Sequence, residues 1–285
     1  MKFYQFYKRF GLYLILVLVF LFFSIFADHF FSTTNFINIL RQVSIFGTAV
    51  IGAAIVMIAG QCDMSVGGIV AMGGIIAAMC MTNWHLPIWL TIVITVLFCA
   101  LVGVINGLLT VTFFIPGFIA SLGMMLVLNG LAYVVSGGVA IFGLPSGYSF
   151  LGQGYVGGNP TAANLAGINV KQITVIAYVL CGLTAALAAI MQLSRSNSAQ
   201  PGVGASYPFD CMSAAVLGGI SMAGGKGKIY GAIVGVLIIG ILNNGLQLMG
   251  CNANLVDVVK GLILIVAVGI DCYYNNSGTA SARIG

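Results

Sequence analysis

Between Arg41 and Lys171 the chain carries one formally charged side chain, Asp63. No soluble fold tolerates so long a stretch without charge. A soluble domain carries about 25% charged residues; here 5% are charged and 60% hydrophobic. The solvent that suits such a chain is lipid, in which about 20 apolar residues cross as one helix. The apolar runs are Phe10–Ala27, Val43–Ala59, Val66–Met81, Ile88–Thr112, Phe118–Val135, Ile173–Leu193, Met212–Ala223, Ile229–Leu248 and Val258–Cys272. They predict an all-α, polytopic transmembrane bundle of about eight to nine membrane segments, forming one domain over residues 1–285. Met212–Ala223 is too short for a full span, so it reads as part of a broken or tilted helix. Such backbone is tolerated in a membrane only where protein or a watery cavity covers it.

Lys2, Lys8 and Arg9 precede the first run. That run is longer than a signal-peptide core and has no small-residue cleavage site. It reads as a signal anchor and first span with a cytoplasmic N-terminus. The ten basic residues are otherwise scattered, which argues against nucleic acid, a ligand that needs clustered charge. The seven cysteines stand singly, without a CxxC pair, and read as small core residues rather than disulfide partners or metal ligands.

Catalytic motifs fail on inspection. The Ile220–Lys226 stretch approaches a phosphate loop, but Ile220 stands where the first glycine belongs and Gly227 follows the lysine. There is no HExxH and no GxSxG. The chain reads as a membrane protein that is not an enzyme, without catalytic residues, cofactor or metal.

Two polar breaks interrupt the apolar runs: Gly60-Gln61-Cys62-Asp63-Met64-Ser65 and Gly224-Gly225-Lys226-Gly227-Lys228. Paired discontinuous helices point to a transport site, although no internal repeat accompanies them here. Glycines spaced by four, Gly103-Gly107 and Gly227-Gly231-Gly235, stack on one helix face and let backbones cross closely.

Polar groups inside spans are the candidates for a translocation pathway: Asp63, Ser65, Asn106, Asn129, Asn243 and Asn244. Each has a plainer reading beside it. Asp63 can cap the helix that starts near Val66, and a span asparagine can simply bond a neighbouring helix. Amides also suit a polyhydroxylated, uncharged solute, since each offers two donors and an acceptor. Neighbours such as Asn243 and Asn244 point about 100° apart on a helix, so one can face a cavity while the other bonds a neighbour.

Five stretches carry a family resemblance: Asn35–Gln42, Gly60–Gly68, Gly103–Gly123, Gly157–Val170 and Ser198–Asp271. The last is the most specific, with Asp210-Cys211-Met212-Ser213-Ala214-Ala215-Val216-Leu217-Gly218-Gly219 and Gly224-Gly225-Lys226-Gly227. Through them the chain resembles the permease subunits of bacterial ribose-type ATP-binding-cassette importers, which carry pentoses, hexoses and related sugars. The resemblance implies a multi-pass protein of the bacterial cytoplasmic (inner) membrane. Its expected partners are a second permease copy (homodimer or heterodimer), separate ATPase subunits that hydrolyse ATP, and a periplasmic sugar-binding protein. It also implies that Gly157–Val170 is a cytoplasmic coupling element docking on the ATPase, with Gly158, Asn159, Pro160, Ala163, Gly167 and Asn169 as its residues.

The chain departs from the family in one place. Members carry another span and a basic stretch before the Gly-Gly-Asn motif, whereas here Phe150–Tyr155 runs straight into Val156-Gly157-Gly158-Asn159. One span fewer reverses parity and would strand the coupling element outside. Lys171, Lys226 and Lys228 nevertheless favour the family orientation. Either the Cys62 break does not return the chain, or Gly137–Tyr155 crosses irregularly, or the protein is a shortened, non-transporting relative. A stand-alone secondary transporter is the other reading.

Overall fold

The computed structural model describes residues 2–145, 170–222, 224–225 and 227–281. Nine helices occupy these residues: α1 (Lys2–Phe26), α2 (Thr33–Ile58), α3 (Val66–Thr82), α4 (Ile88–Thr112), α5 (Gly117–Ser136), α6 (Val170–Ser196), α7 (Tyr207–Leu217), α8 (Ile229–Leu248) and α9 (Ala253–Ser281). There is one helix for each apolar run, and no strand among the described residues beyond an isolated bridge. Five of the helices (α2, α4, α5, α6 and α8) are long and apolar enough to cross a membrane. The protein is an all-α polytopic membrane protein.

Burial divides the helices. α3 and α8 are covered over most of their surface, whereas α4 and α5 expose Leu97, Leu101, Leu126, Val127 and Val134. In a bilayer those side chains meet lipid, which is as apolar as they are. Both tryptophans, Trp84 and Trp89, are exposed near the α3–α4 connection, and tryptophan is enriched at membrane–water interfaces.

Helix directions follow from the backbone contacts. Gly103 and Gly107 of α4 abut Tyr178 and Val175 of α6, while Gly182 of α6 abuts Cys99. The pairing runs in reverse order, so α4 and α6 are antiparallel. α5 begins with Gly117 beside the Tyr178 hydroxyl, near the start of α6. Just beyond its end, Ile141 forms an antiparallel bridge with Ala199, with N–H···O distances of 2.8 and 2.9 Å. Ala199 lies just beyond the end of α6. Hence α5 and α6 run in the same direction, and their C-termini share one end of the bundle.

That end also carries the turns at 27–32, 83–87 and 249–252. The opposite end carries the 113–116 turn and the start of α6. α6 has 27 residues, about 40 Å at 1.5 Å per residue, so Val170 lies a membrane's thickness from the Ile141–Ala199 bridge. The parity problem is therefore met after α5: described residues 145 and 170 sit towards opposite ends of the bundle.

Candidate functional site

The two polar breaks meet. The Gly225 N–H donates to the Ile58 carbonyl at 3.0 Å, and a Cβ on Gly224 would fall on the Gly60 backbone. Gly60 and Gly224 have φ of 79° and 80°, a left-handed conformation that glycine adopts without steric cost. The break after α2 thus packs on the break before α8, towards the end of the bundle where α6 begins. The short helices beside them also touch: Gly67, at the start of α3, faces Gly204, just ahead of α7, backbone to backbone.

The first break is tied to three helices. Tyr178 of α6 is fully buried and donates its hydroxyl to the Cys62 carbonyl at 3.2 Å. Ser121 of α5 accepts from the Met64 N–H at 2.9 Å. Asn106 of α4 donates from Nδ2 to Ser65 Oγ at 2.8 Å, and the Ser65 hydroxyl donates onward to Asp63 Oδ1 at 2.6 Å. The Ser65 N–H reaches the same oxygen at 2.8 Å. Asp63 therefore accepts from Ser65 just ahead of α3; Ser65 is itself the N-cap residue and the helix has no side-chain capping bond, so the expected cap from Asp63 to the Val66 N–H is not made. The structure joins Asp63, Ser65 and Asn106 into one buried network that fixes the broken backbone.

The two asparagines of α8 divide as their 100° offset predicts. Asn244 Nδ2 donates to Asn35 Oδ1 of α2 at 2.8 Å, and Asn35 donates to the Phe30 carbonyl at 2.9 Å. Asn243 lines a cavity of about 780 Å³ between α2, α6, α7, α8 and α9. Asp63, Ser65, Asn106, Asn129 and Asn244 do not line it. Asn129 is half-buried on α5. The coupling residues Gly158, Asn159, Pro160, Ala163, Gly167 and Asn169 lie outside the described residues.

Sequence reading missed the other polar groups of this cavity, among them Gln42, Gln192, Arg195, Gln247 and the Lys260–Asp210 ion pair. Gln247 follows Asn243 by one helical turn, a spacing that was available as a signal. The ion pair joins residues fifty apart, N···O 3.1 Å, and only the packing of α9 on α7 reveals it. No group of His, Cys, Asp or Glu that could hold a metal occurs among the described residues.

The profile of the family described as branched-chain amino acid transport system, permease component, matches residues 35–154 and 151–268. The chain belongs to this permease family. It is 34% identical to the ribose import permease protein RbsC of Escherichia coli (strain K12), across 87% of this chain and 88% of the relative. Identity to RbsC of Bacillus subtilis (strain 168) is 36%, across 92% and 90%. The galactose/methyl galactoside import permease protein MglC of Salmonella typhimurium is 30% identical, across 93% and 94%. No solved structure matches.

These alignments also measure a shortfall. The one to MglC runs over 316 positions but uses 93% of the permease's 285 residues, about 265, so about 50 positions face no residue here. A span needs about 20 residues, so one helix with its connections fits within that number. The family profile, for its part, matches in two runs that meet at residues 151–154, where the sequence pattern skips a span.

Proposed function

We propose that this permease is the membrane-spanning subunit of an ATP-driven importer for a small neutral sugar, a pentose or hexose handed over by a periplasmic binding protein. The observation that carries this reading is the near full-length similarity to permeases that import ribose and galactose. The chain forms one permease domain, pairs with a second permease copy, and works with two cytoplasmic ATPase subunits in the bacterial inner membrane.

Charge supports an orientation. Lys2, Lys8, Arg9 and Lys171 belong to the end of the bundle where α6 starts, and Lys228 to the break before α8. The other end has Arg41, Arg195 and Lys260 nearest to it. By the excess of basic residues in cytoplasmic segments, the α6 start faces the cytoplasm and so does the N-terminus. The shared direction of α5 and α6 then supports a cytoplasmic position for Gly157–Val170, next to the start of α6, with the chain returning across the membrane between α5 and that stretch. ATP-driven closure of the ATPase pushes this element, and the bundle switches faces by rigid-body motion. The junction of the two breaks, held by the Gly225–Ile58 hydrogen bond, is the place where the two broken-helix units pivot.

The test is uptake. Proteoliposomes holding the permease, its ATPase and its binding protein are expected to accumulate D-ribose or D-galactose only when ATP is supplied to the ATPase side. Accumulation without ATP would favour a secondary transporter. Assembly of the full complex with no accumulation of any monosaccharide would mark a shortened, non-transporting relative.

A further inference from the structure

The cavity beside Asn243 lies at the end of the bundle away from the two breaks. Its walls include Arg195 in the last turn of α6, Gln247 in the last turn of α8 and Ala253 in the first turn of α9. We infer that this cavity is the outward-side solute site of the permease, shaped for an uncharged polyhydroxylated molecule. The inference rests on the importer reading above and assigns that reading a place and a set of side chains.

Three observations carry it. First, Asn243, an amide within a helix that is buried along most of its length, lines the open volume. Second, the volume is lined by four amides, Gln42, Gln192, Asn243 and Gln247, and three hydroxyls, Ser206, Tyr207 and Ser213, groups that both donate and accept hydrogen bonds. The cationic groups, Lys260 and Arg195, are matched in number by Asp210 and Asp257, and Lys260 is bonded to both carboxylates. Such a wall carries no net field to favour an anion or a cation. A branched-chain amino acid would bring both charges, and of the four ionised groups here Lys260, Asp210 and Asp257 are already paired with one another. Third, Phe46 and Tyr207 pack edge to face with ring centroids 5.9 Å apart, and both line the cavity. They give the carbon face of a sugar ring an apolar surface. A concave volume of this size, mostly apolar with a few convergent polar groups, is the usual form of a small-molecule site.

The test uses the assembled importer in cells, with the permease's native cysteines replaced. Asn243→Cys is exposed to a small impermeant thiol reagent from outside. The reagent is expected to modify position 243, and D-ribose at about ten times its half-saturating concentration is expected to slow that modification about tenfold, by simple competition. L-leucine is expected to have no effect. Asn244→Cys, which points to α2, is expected to resist the reagent. Gln247→Cys repeats the measurement if Asn243→Cys does not assemble. Modification unaffected by D-ribose and D-galactose, in an importer that still takes up sugar, would overturn this site and leave the importer reading standing. Protection by L-leucine alone would overturn the choice of solute class. No modification at either 243 or 247 would show that the cavity does not open outward.

Discussion

Replacing Lys260 with alanine is expected to lower the stability of the permease by about 3–5 kcal/mol, the cost of leaving one charge of a buried pair without its partner. The side chains of Lys260 and Asp210 are 12% and 9% exposed, and their N···O distance is 3.1 Å. The second partner, Asp257, has a side chain 62% exposed, so its contact adds the small energy of a surface pair. After Lys260→Ala, Asp210 keeps its burial and loses the cation paired with it. A loss of that size is a large part of a typical folding free energy of about 5–15 kcal/mol. The pair also fastens α9 to α7, so its loss loosens one wall of the cavity. Lys260→Met combined with Asp210→Asn removes both charges and is expected to recover most of the stability, because no unpaired ion remains. Thermal melting of the detergent-solubilised complex reads both variants. An unchanged melting temperature for Lys260→Ala would contradict the buried pair.

Gly67→Val is expected to be comparably damaging for a steric reason. A Cβ at Gly67 would fall on the carbonyl oxygen of Gly204 and within 2.9 Å of Pro208 Cδ. A Cβ at Gly204 would fall on the carbonyl oxygen of Gly67 in turn. Neither obstacle is the end of a flexible side chain. Overpacking of a close-packed core costs about 1–3 kcal/mol and occasionally more, and a backbone-to-backbone contact belongs at the upper end. The expected result is loss of folded protein from the membrane. Gly130→Ala is the matched control, since nothing lies within 4 Å of a Cβ there, and it is expected to be neutral or slightly stabilising. Equal yields of Gly67→Val and Gly130→Ala would show that α3 and the segment before α7 do not meet as closely as described.

How far the sequence foretold this structure depends on the kind of interaction. Ile88–Thr112 and Ile229–Leu248 are helices with the bounds their apolar runs define, since hydropathy and helix length answer to the same bilayer. α2 starts at Thr33, ten residues before its apolar run. Asn35, Asn38, Arg41 and Gln42 hide its first turns from a hydropathy reading. The overlooked signal was Ser32, whose hydroxyl accepts from the Asn35 N–H at 3.2 Å as a helix cap does. α7 covers Tyr207–Leu217 rather than Met212–Ala223, with Pro208 in its first turn and Gly218 at its end. Both are ordinary helix punctuation, and the apolar character of the following segment masked them.

The polar residues divide along a similar line. That Asp63 sits at a helix mouth, and that Asn243 and Asn244 part company, follows from local geometry and was legible. That Asn106 reaches Ser65, that the two breaks touch, and that Lys260 finds Asp210 are facts of tertiary packing, which spacing along one chain does not encode. The interruption of the family pattern before Gly157 was visible in the sequence. Its consequence for direction became visible only when α5 and α6 were seen to end together.

The most direct test of the account is the sidedness of two positions in one cysteine-free background: Val139→Cys, just beyond α5, and Ala163→Cys, in the coupling stretch. An impermeant thiol reagent is applied to intact cells and then to permeabilised ones. The account predicts that Val139→Cys labels in intact cells and Ala163→Cys only after permeabilisation, so that the coupling stretch lies where an ATPase can reach it. Labelling of both positions in intact cells would contradict it, because the chain would then have failed to return across the membrane and ATP-driven import through Gly157–Val170 would be untenable.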